Sequence, residues 1–327
     1  MSNGRTRYMW SSTLITAPPV AKLRQRIEEI KRTNLALADI DILRSRINLL
    51  LKGYTFVAPT WPQGQVVFRG RKFNEINEKP INRSNLTYPK AVNVKTFQRA
   101  NRPGQPMFYC SLTKEPLFFE LKSNDGEYIA ISKWRFKTKM LASNVGFEEQ
   151  VFNDLCSARS VPEWSGFMPS TAQCLVSKFF AKQFTMNVSI DEEYRYKISA
   201  AIAEELYLKD INLDDDAKRD GVQFGGLHYP SIAMHANSDN LALFPHFVDN
   251  YLDFVSVDWV RIDAQKPDFT YDITYLDFAN SFSADDFIEW KGRRSHCKLR
   301  PGEMVKISVE NGQLVSRDMN GNLKNLE

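Results

Sequence analysis

Near the start of the chain, apolar residues recur at helical spacing. In VAKLRQRIEEIKR, which follows Pro18 and Pro19, Leu23, Ile27 and Ile30 fall four and three residues apart, a spacing that predicts an amphipathic helix. A second series, Ile40, Leu43, Ile47 and Leu50, runs to Lys52-Gly53, a basic last turn followed by a glycine suited to a C-cap. Residues 20 to 53 therefore read as a helical pair whose apolar stripe packs on its own domain or takes a partner. From about residue 55 the pattern changes to short β-like runs, QVVFRG, PMFYCSL and EYIAISKWRF, separated by Pro, Gly and Asn clusters. Two helices follow in STAQCLVSKFFAKQF, with Ser170 or Thr171 as cap, and in EEYRYKISAAIAEELYL; both are expected to cover the sheet. NLALFPHFVDNYL reads as a buried strand, a break at Pro245 and a helix, and VKISVENGQLVSRD sets Asn311-Gly312 between two alternating runs, a hairpin signal. The pattern predicts a mixed α/β (α+β) chain in three parts: a helical segment over 1–54, a mixed domain over 55–260 and a β-rich extension over 261–327.

Composition narrows the class without deciding the function. With 43% hydrophobic and 12% aromatic residues in 327, the chain has ample material for a core. Its formal charge of +4 neither demands a nucleic-acid partner nor excludes an anionic small molecule. Cys110, Cys156, Cys174 and Cys297 show no CxxC spacing, which favours reduced thiols in a cytoplasm. Neither a signal peptide nor an apolar run of about 20 residues is seen, so the expectation is a soluble cytoplasmic protein with no membrane partner.

Candidate chemistry concentrates in FQRANRPGQPMFYCSLTKEPLFFE, Phe97 to Glu120. Arg99 and Arg102 bracket Ala100-Asn101 beside the turn chemistry of Pro103-Gly104, and a guanidinium fork on such a loop suits a phosphate as well as it suits a surface ion pair. Alternation in PMFYCSL puts Met107, Tyr109 and Ser111 on one face. Thr113 can cap a helix with Pro116 in its first turn, in which Leu117, Phe118, Phe119 and Leu121 leave one gap, occupied by Glu120; the carboxylate then faces solvent or a cleft. In DGVQFGGLHYPSI, Gly225 and Gly226 permit close approach of a ligand or another strand, while the local alternative is a tight turn with Ser231 as its cap.

Together these pieces resemble the RES domain family, named for an Arg, a Glu and a Ser. RANRPGQPMFY matches its first element from Arg99 to Tyr109, Glu120 its second, and GLHYPSI, with NLALFP behind it, its third at Ser231; VVFRGR resembles the first strand and adds Arg69. The match covers roughly residues 55 to 260. Gln98 stands where the family usually has Gly, Ala100 where it has an aromatic, and the stretch from Glu120 to Ser231 is long enough for inserted helices. The resemblance implies a fold similar to ADP-ribosyltransferases and consumption of NAD, as substrate rather than cofactor, by cleavage of the nicotinamide-ribose bond. Glu120, Arg99 and Ser231 would then be catalytic, and Arg69, Tyr109, Arg102 and Tyr229 would bind substrate. The acceptor stays open between water, inorganic phosphate and a protein side chain, the last making an ADP-ribosyltransferase. A helix-turn-helix antitoxin is the partner implied, and a homo-oligomer is compatible.

Rival readings are a nucleic-acid binder, from the Arg, Lys and aromatic residues of RGRKF and FQRANR, and an inactive RES-like interaction protein. No metal is expected. Asp214-Asp215-Asp216 and Asp285-Asp286 lack the alternation of a calcium loop, and His228, His235, His246 and the Ser295-His296-Cys297 run lack ligand spacing. Cys110, in an apolar strand, reads as an inert core thiol.

Overall fold

The structure is a computed structural model that describes residues 7–10, 17–54, 56–162, 170–208, 221–266, 271–292, 295–299, 306–310, 313–317 and 321–323. After β1 (Arg7–Trp10), the extended Pro19 starts α1 (Val20–Lys31), and the Asp39 carboxylate caps α2 (Ile40–Leu50) by accepting from the N–H groups of Asp41 and Ile42. The helical spacing is realised as expected: Leu23, Ile27 and Ile30 of α1 and Leu43, Ile47 and Leu50 of α2 are buried. The end of α2 falls earlier than Lys52-Gly53, because Leu51 is the cap and Gly53, at φ 68°, turns the chain beyond it.

The chain then runs through β2 (Phe56–Trp61), β3 (Val66–Phe73), β4 (Phe108–Ser111), α3 (Glu115–Glu120), β5 (Tyr128–Phe136) and β6 (Met140–Asn144). Helices α4 (Glu149–Asp154), α5 (Thr171–Phe184) and α6 (Lys197–Leu208) follow, with a 3₁₀ run over Ile190–Tyr196 before the last. Ser170 caps α5 by accepting from the Gln173 N–H at 3.2 Å. Strands β7 (Gln223–Pro230) and β8 (Asp239–Leu243), helix α7 (Pro245–Tyr251), and strands β9 (Leu252–Gln265), β10 (Tyr271–Ala279) and β11 (Ser295–Leu299) complete the main body.

Eleven strands form one mixed sheet in the order β1-β2-β6-β7-β8-β4-β3-β5-β9-β10-β11. Among the described residues its one parallel pair is β6 with β7, and that geometry requires a crossover, here supplied by α4, α5 and α6. The long stretch between Glu120 and Ser231 is thus mostly crossover. Its helices α5 and α6 share a buried cluster with α1 and α2: Leu23, Ile27, Leu43 and Ile47 belong with Phe179, Phe184, Ile202 and Leu206, and with Leu227 and Tyr229 of β7. The segment expected to end at residue 54 therefore buries its apolar stripe in the main core. The boundary expected at 260 falls inside β9, which pairs with β5 on one side and β10 on the other, so part of the β-rich extension continues the sheet.

At the C-terminal end β12 (Lys306–Glu310) and β13 (Gln313–Arg317) pair antiparallel, with Glu310 opposite Gln313; Asn311 and Gly312 lie outside the described residues. Among the described residues no helix is long and apolar enough to cross a membrane.

Candidate functional site

Four adjacent strands of the sheet, β7, β8, β4 and β3, present Tyr229, Asn240, Tyr109 and Arg69 to one open cavity of about 370 Å³. Glu120 at the end of α3, Gln98 and Arg99 in the loop before β4 and Tyr196 at the end of the 3₁₀ run add to its polar lining, with Met107, Leu117 and Leu121 among its apolar walls. DGVQFGGLHYPSI is strand rather than tight turn over most of its length. Its glycines serve strand approach: at Gly226, φ 150°, a side chain would collide with the Ala242 carbonyl of β8.

The short helix α3 buries Pro116, Leu117, Phe118 and Phe119 and leaves Glu120 exposed at the open side of the cavity. Its start differs from expectation, since Lys114 rather than Thr113 holds the cap position and no side chain caps it. One carboxylate oxygen of Glu120, Oε1, accepts from the Ser231 hydroxyl at 2.7 Å and from the Asn240 amide at 2.8 Å. The other, Oε2, accepts no hydrogen bond among the described residues. Both donors are buried, so the carboxylate is held from behind while one oxygen stays available.

Two guanidiniums line the same cavity. Arg69 donates through Nε to the Thr87 carbonyl at 3.2 Å and through Nη1 to the Tyr109 carbonyl at 2.9 Å, and lies over the Phe108 ring. Burial pushes it down to about 10, so it stays charged at neutral pH. Arg99 donates to the Phe184 carbonyl, to the Met186 carbonyl at 3.2 Å and to the Tyr196 hydroxyl at 3.4 Å, with the Tyr196 ring 5.2 Å from its carbon. Neither arginine has a carboxylate partner among the described residues; both are positioned by neutral acceptors. Half-buried cations held this way favour an anion in the cavity.

Tyr109 does different work from a free stacking ring. Its hydroxyl accepts from the Ala100 N–H at 3.0 Å and donates to Asn101 Oδ1 at 2.6 Å, while the Tyr207 hydroxyl donates to the Ala100 carbonyl at 3.2 Å. Both backbone groups of Ala100 are thereby fixed beside Arg99. Ala100 itself is fully buried in the cluster that holds α5 and α6 residues. The Tyr229 hydroxyl has no hydrogen-bond partner among the described residues. Burial raises the phenols of Tyr109 and Tyr229 and the Cys110 thiol, so none supplies an anion at neutral pH.

Arg102, expected to bind substrate, does not line the cavity. Its guanidinium pairs with Glu204 of α6 and with Asp41 of α2 at 2.9 Å, tying the turn to two helices. The structure brings Arg69, Arg99, Tyr109, Glu120 and Tyr229 to one cavity, with Ser231 behind Glu120. Sequence reasoning missed Asn240 and Tyr196 as cavity residues. A signal for Asn240 was present, an amide at the head of the buried run LALF, whose side chain needs a partner.

Elsewhere, Asp286 sits in a turn at φ 64°, and Asp214-Asp215-Asp216 lie outside the described residues. Among the described residues no group of three or more His, Cys, Asp or Glu side chains is placed to hold a metal ion. No family model, no curated protein and no solved structure matches this chain.

Proposed function

We propose that this chain is a RES-type enzyme that consumes NAD by breaking the bond between nicotinamide and ribose. The observation that carries the reading is the Glu120 carboxylate, one oxygen tied to Ser231 and Asn240 and the other without a hydrogen bond among the described residues, in a cavity with two guanidiniums that have no acidic partner among them. An anionic substrate with a reacting centre that turns cationic fits that charge pattern.

In the proposed step the bond between ribose C1′ and the nicotinamide nitrogen breaks with its electron pair going to the nitrogen. The ring charge is neutralised, so no strong general acid is needed, and positive charge develops at C1′ and the ring oxygen. The free oxygen of Glu120 stabilises that charge electrostatically. Arg99 and Arg69 hold the pyrophosphate, and the Tyr229 hydroxyl is available to a polar group of the substrate. Water or inorganic phosphate then forms the new bond at C1′, with the displaced proton passing to Glu120 or to solvent. A protein side chain as acceptor would make the same centre an ADP-ribosyltransferase, and a helix-turn-helix antitoxin covering the open side would silence it.

The test is to incubate the purified full chain with NAD, with and without inorganic phosphate, and to follow nicotinamide and the ribose-containing product. Wild type is expected to release nicotinamide and Glu120→Gln to lose roughly 10²-fold or more in turnover. Near-normal turnover by folded Glu120→Gln removes the carboxylate from the mechanism, and absence of release with every acceptor class overturns the reading.

A further inference from the structure

We infer that Arg159, outside the cavity, is a positioning residue that clamps the β7–β8 connection and so sets both hydrogen-bond donors onto Glu120. Ser231 and Asn240 stand at the two ends of that connection: Ser231 follows the last residue of β7 and Asn240 is the second residue of β8. Between them the chain folds tightly on itself. The Ser231 N–H donates to the Ser238 carbonyl at 2.8 Å, and the Ala236 N–H to the Ser231 carbonyl at 2.8 Å. His235 and Ala236 are left-handed, at φ 51° and 59°, a conformation that L residues keep only where surrounding contacts enforce it.

Arg159 supplies those contacts from the segment that follows α4. Its Nε donates to the Ala236 carbonyl at 2.6 Å and its Nη2 to the Ser238 carbonyl at 3.4 Å, while the fork pairs with the Asp239 carboxylate, Nη1 lying 3.3 Å from Oδ2. One guanidinium thus reaches Ala236, Ser238 and Asp239 of the connection, an arrangement that suits a planar fork of five donors. The same segment adds a bond from the Ala158 N–H to Asn237 Oδ1 at 2.8 Å, and the Arg159 guanidinium lies 5.5 Å from the centre of the Phe152 ring. Asp239 and Asn240 are neighbours on β8 and project to opposite faces of the sheet, so Arg159 grips the back of the strand whose front carries the Asn240 amide. The Asp239 carbonyl also accepts from Ser111 Oγ at 2.9 Å, fastening the clamped end to β4.

The kinetic part of this inference rests on the proposed reaction; the geometric part does not. The full chain, labelled with ¹⁵N-asparagine, is compared as wild type, Arg159→Met, Arg159→Lys and Glu120→Ala, with the Asn240 side-chain amide identified by its loss in Asn240→Ser. Arg159→Met is expected to shift that amide toward its position in Glu120→Ala and to speed its exchange with water. Turnover of NAD should fall on the order of 10²-fold, the scale set by misplacing a reacting group, with KM little changed. Arg159→Lys should recover part of both effects. An unmoved Asn240 amide in folded Arg159→Met overturns the clamp. If Arg159→Met does not fold, Arg159→Lys reads the same amide and decides in the same way. A displaced amide with no nicotinamide release from wild type removes the reaction and leaves the clamp standing; full release with an unmoved amide does the reverse.

Discussion

The hydroxyl of Tyr109 donates to the side-chain oxygen of Asn101 at 2.6 Å. Because the same hydroxyl accepts from the Ala100 N–H, the turn carrying Arg99 is tied to β4 through one phenol. Tyr109→Phe keeps the ring and removes both bonds, leaving a buried N–H without its partner. The expected result is a loss of about 1–3 kcal/mol in urea unfolding. A KM for NAD raised several-fold should accompany it, since Arg99 is less well fixed. An unchanged KM would mean that the Phe184 and Met186 carbonyls suffice to hold the guanidinium.

Ser231→Ala and Asn240→Ala each remove one donor from the same oxygen of Glu120. Each single variant should lower kcat by up to about 10²-fold. The double variant should do no worse than Glu120→Gln, because all three changes act on one group and their effects do not add. Steady-state nicotinamide release measures this, and wild-type rates in both single variants would detach the two donors from the chemistry.

Arg102→Ala tests stability rather than binding. It removes the Glu204 pair, but Arg44 Nε remains 3.2 Å from the same carboxylate and limits the damage. A drop of about 1–3 kcal/mol in unfolding free energy is expected, with KM for NAD unchanged. Arg99→Ala should show the opposite pattern.

Asp239 makes part of the stability pH-dependent. Burial alone would raise its carboxyl, but the charges of His228 and Arg159 beside it prevail and hold it down to about 2, from an ordinary 3.8. A depressed carboxyl stabilises the fold above its unfolded value and loses that contribution as pH falls through the folded one. The window therefore runs from about pH 4 down to about pH 2 and is worth about 2 kcal/mol. Urea unfolding of Asp239→Asn across pH 2–6 should show a lower plateau above pH 4 and a shallower acid limb than wild type.

What could be read from the residues alone divides by range. Helices α1 and α2 were legible because Leu23, Ile27, Ile30 and their counterparts in α2 declare a face within a dozen residues. Strand β8 and the break at Pro245 were legible for the same local reason. Arg69, Arg99, Tyr109 and Glu120 line one cavity, whereas Arg102, only three positions from Arg99, faces a different set of neighbours. Nothing local distinguishes the two, because the side of a turn that meets α6 is set by where α6 lies. For Asn240 the need for a partner was legible but the partner was not, since its approach to Glu120 depends on its register opposite Tyr229, a pairing between strands. Residue 260, expected as a boundary, lies within β9, because continuity of β5, β9 and β10 is a property of the sheet, not of composition.

The carboxylate and its two donors are separated by 111 and 120 positions along the chain. During synthesis Glu120 and the lining residues Arg69, Arg99, Tyr109 and Tyr196 are all made before either donor exists. The centre can close only after the crossover has folded and β8 has joined β4, a long-range step in which loop closure precedes its reward. Whatever reaction the cavity supports, an unfinished chain does not carry it, and the timing of its appearance is written into the order of the strands.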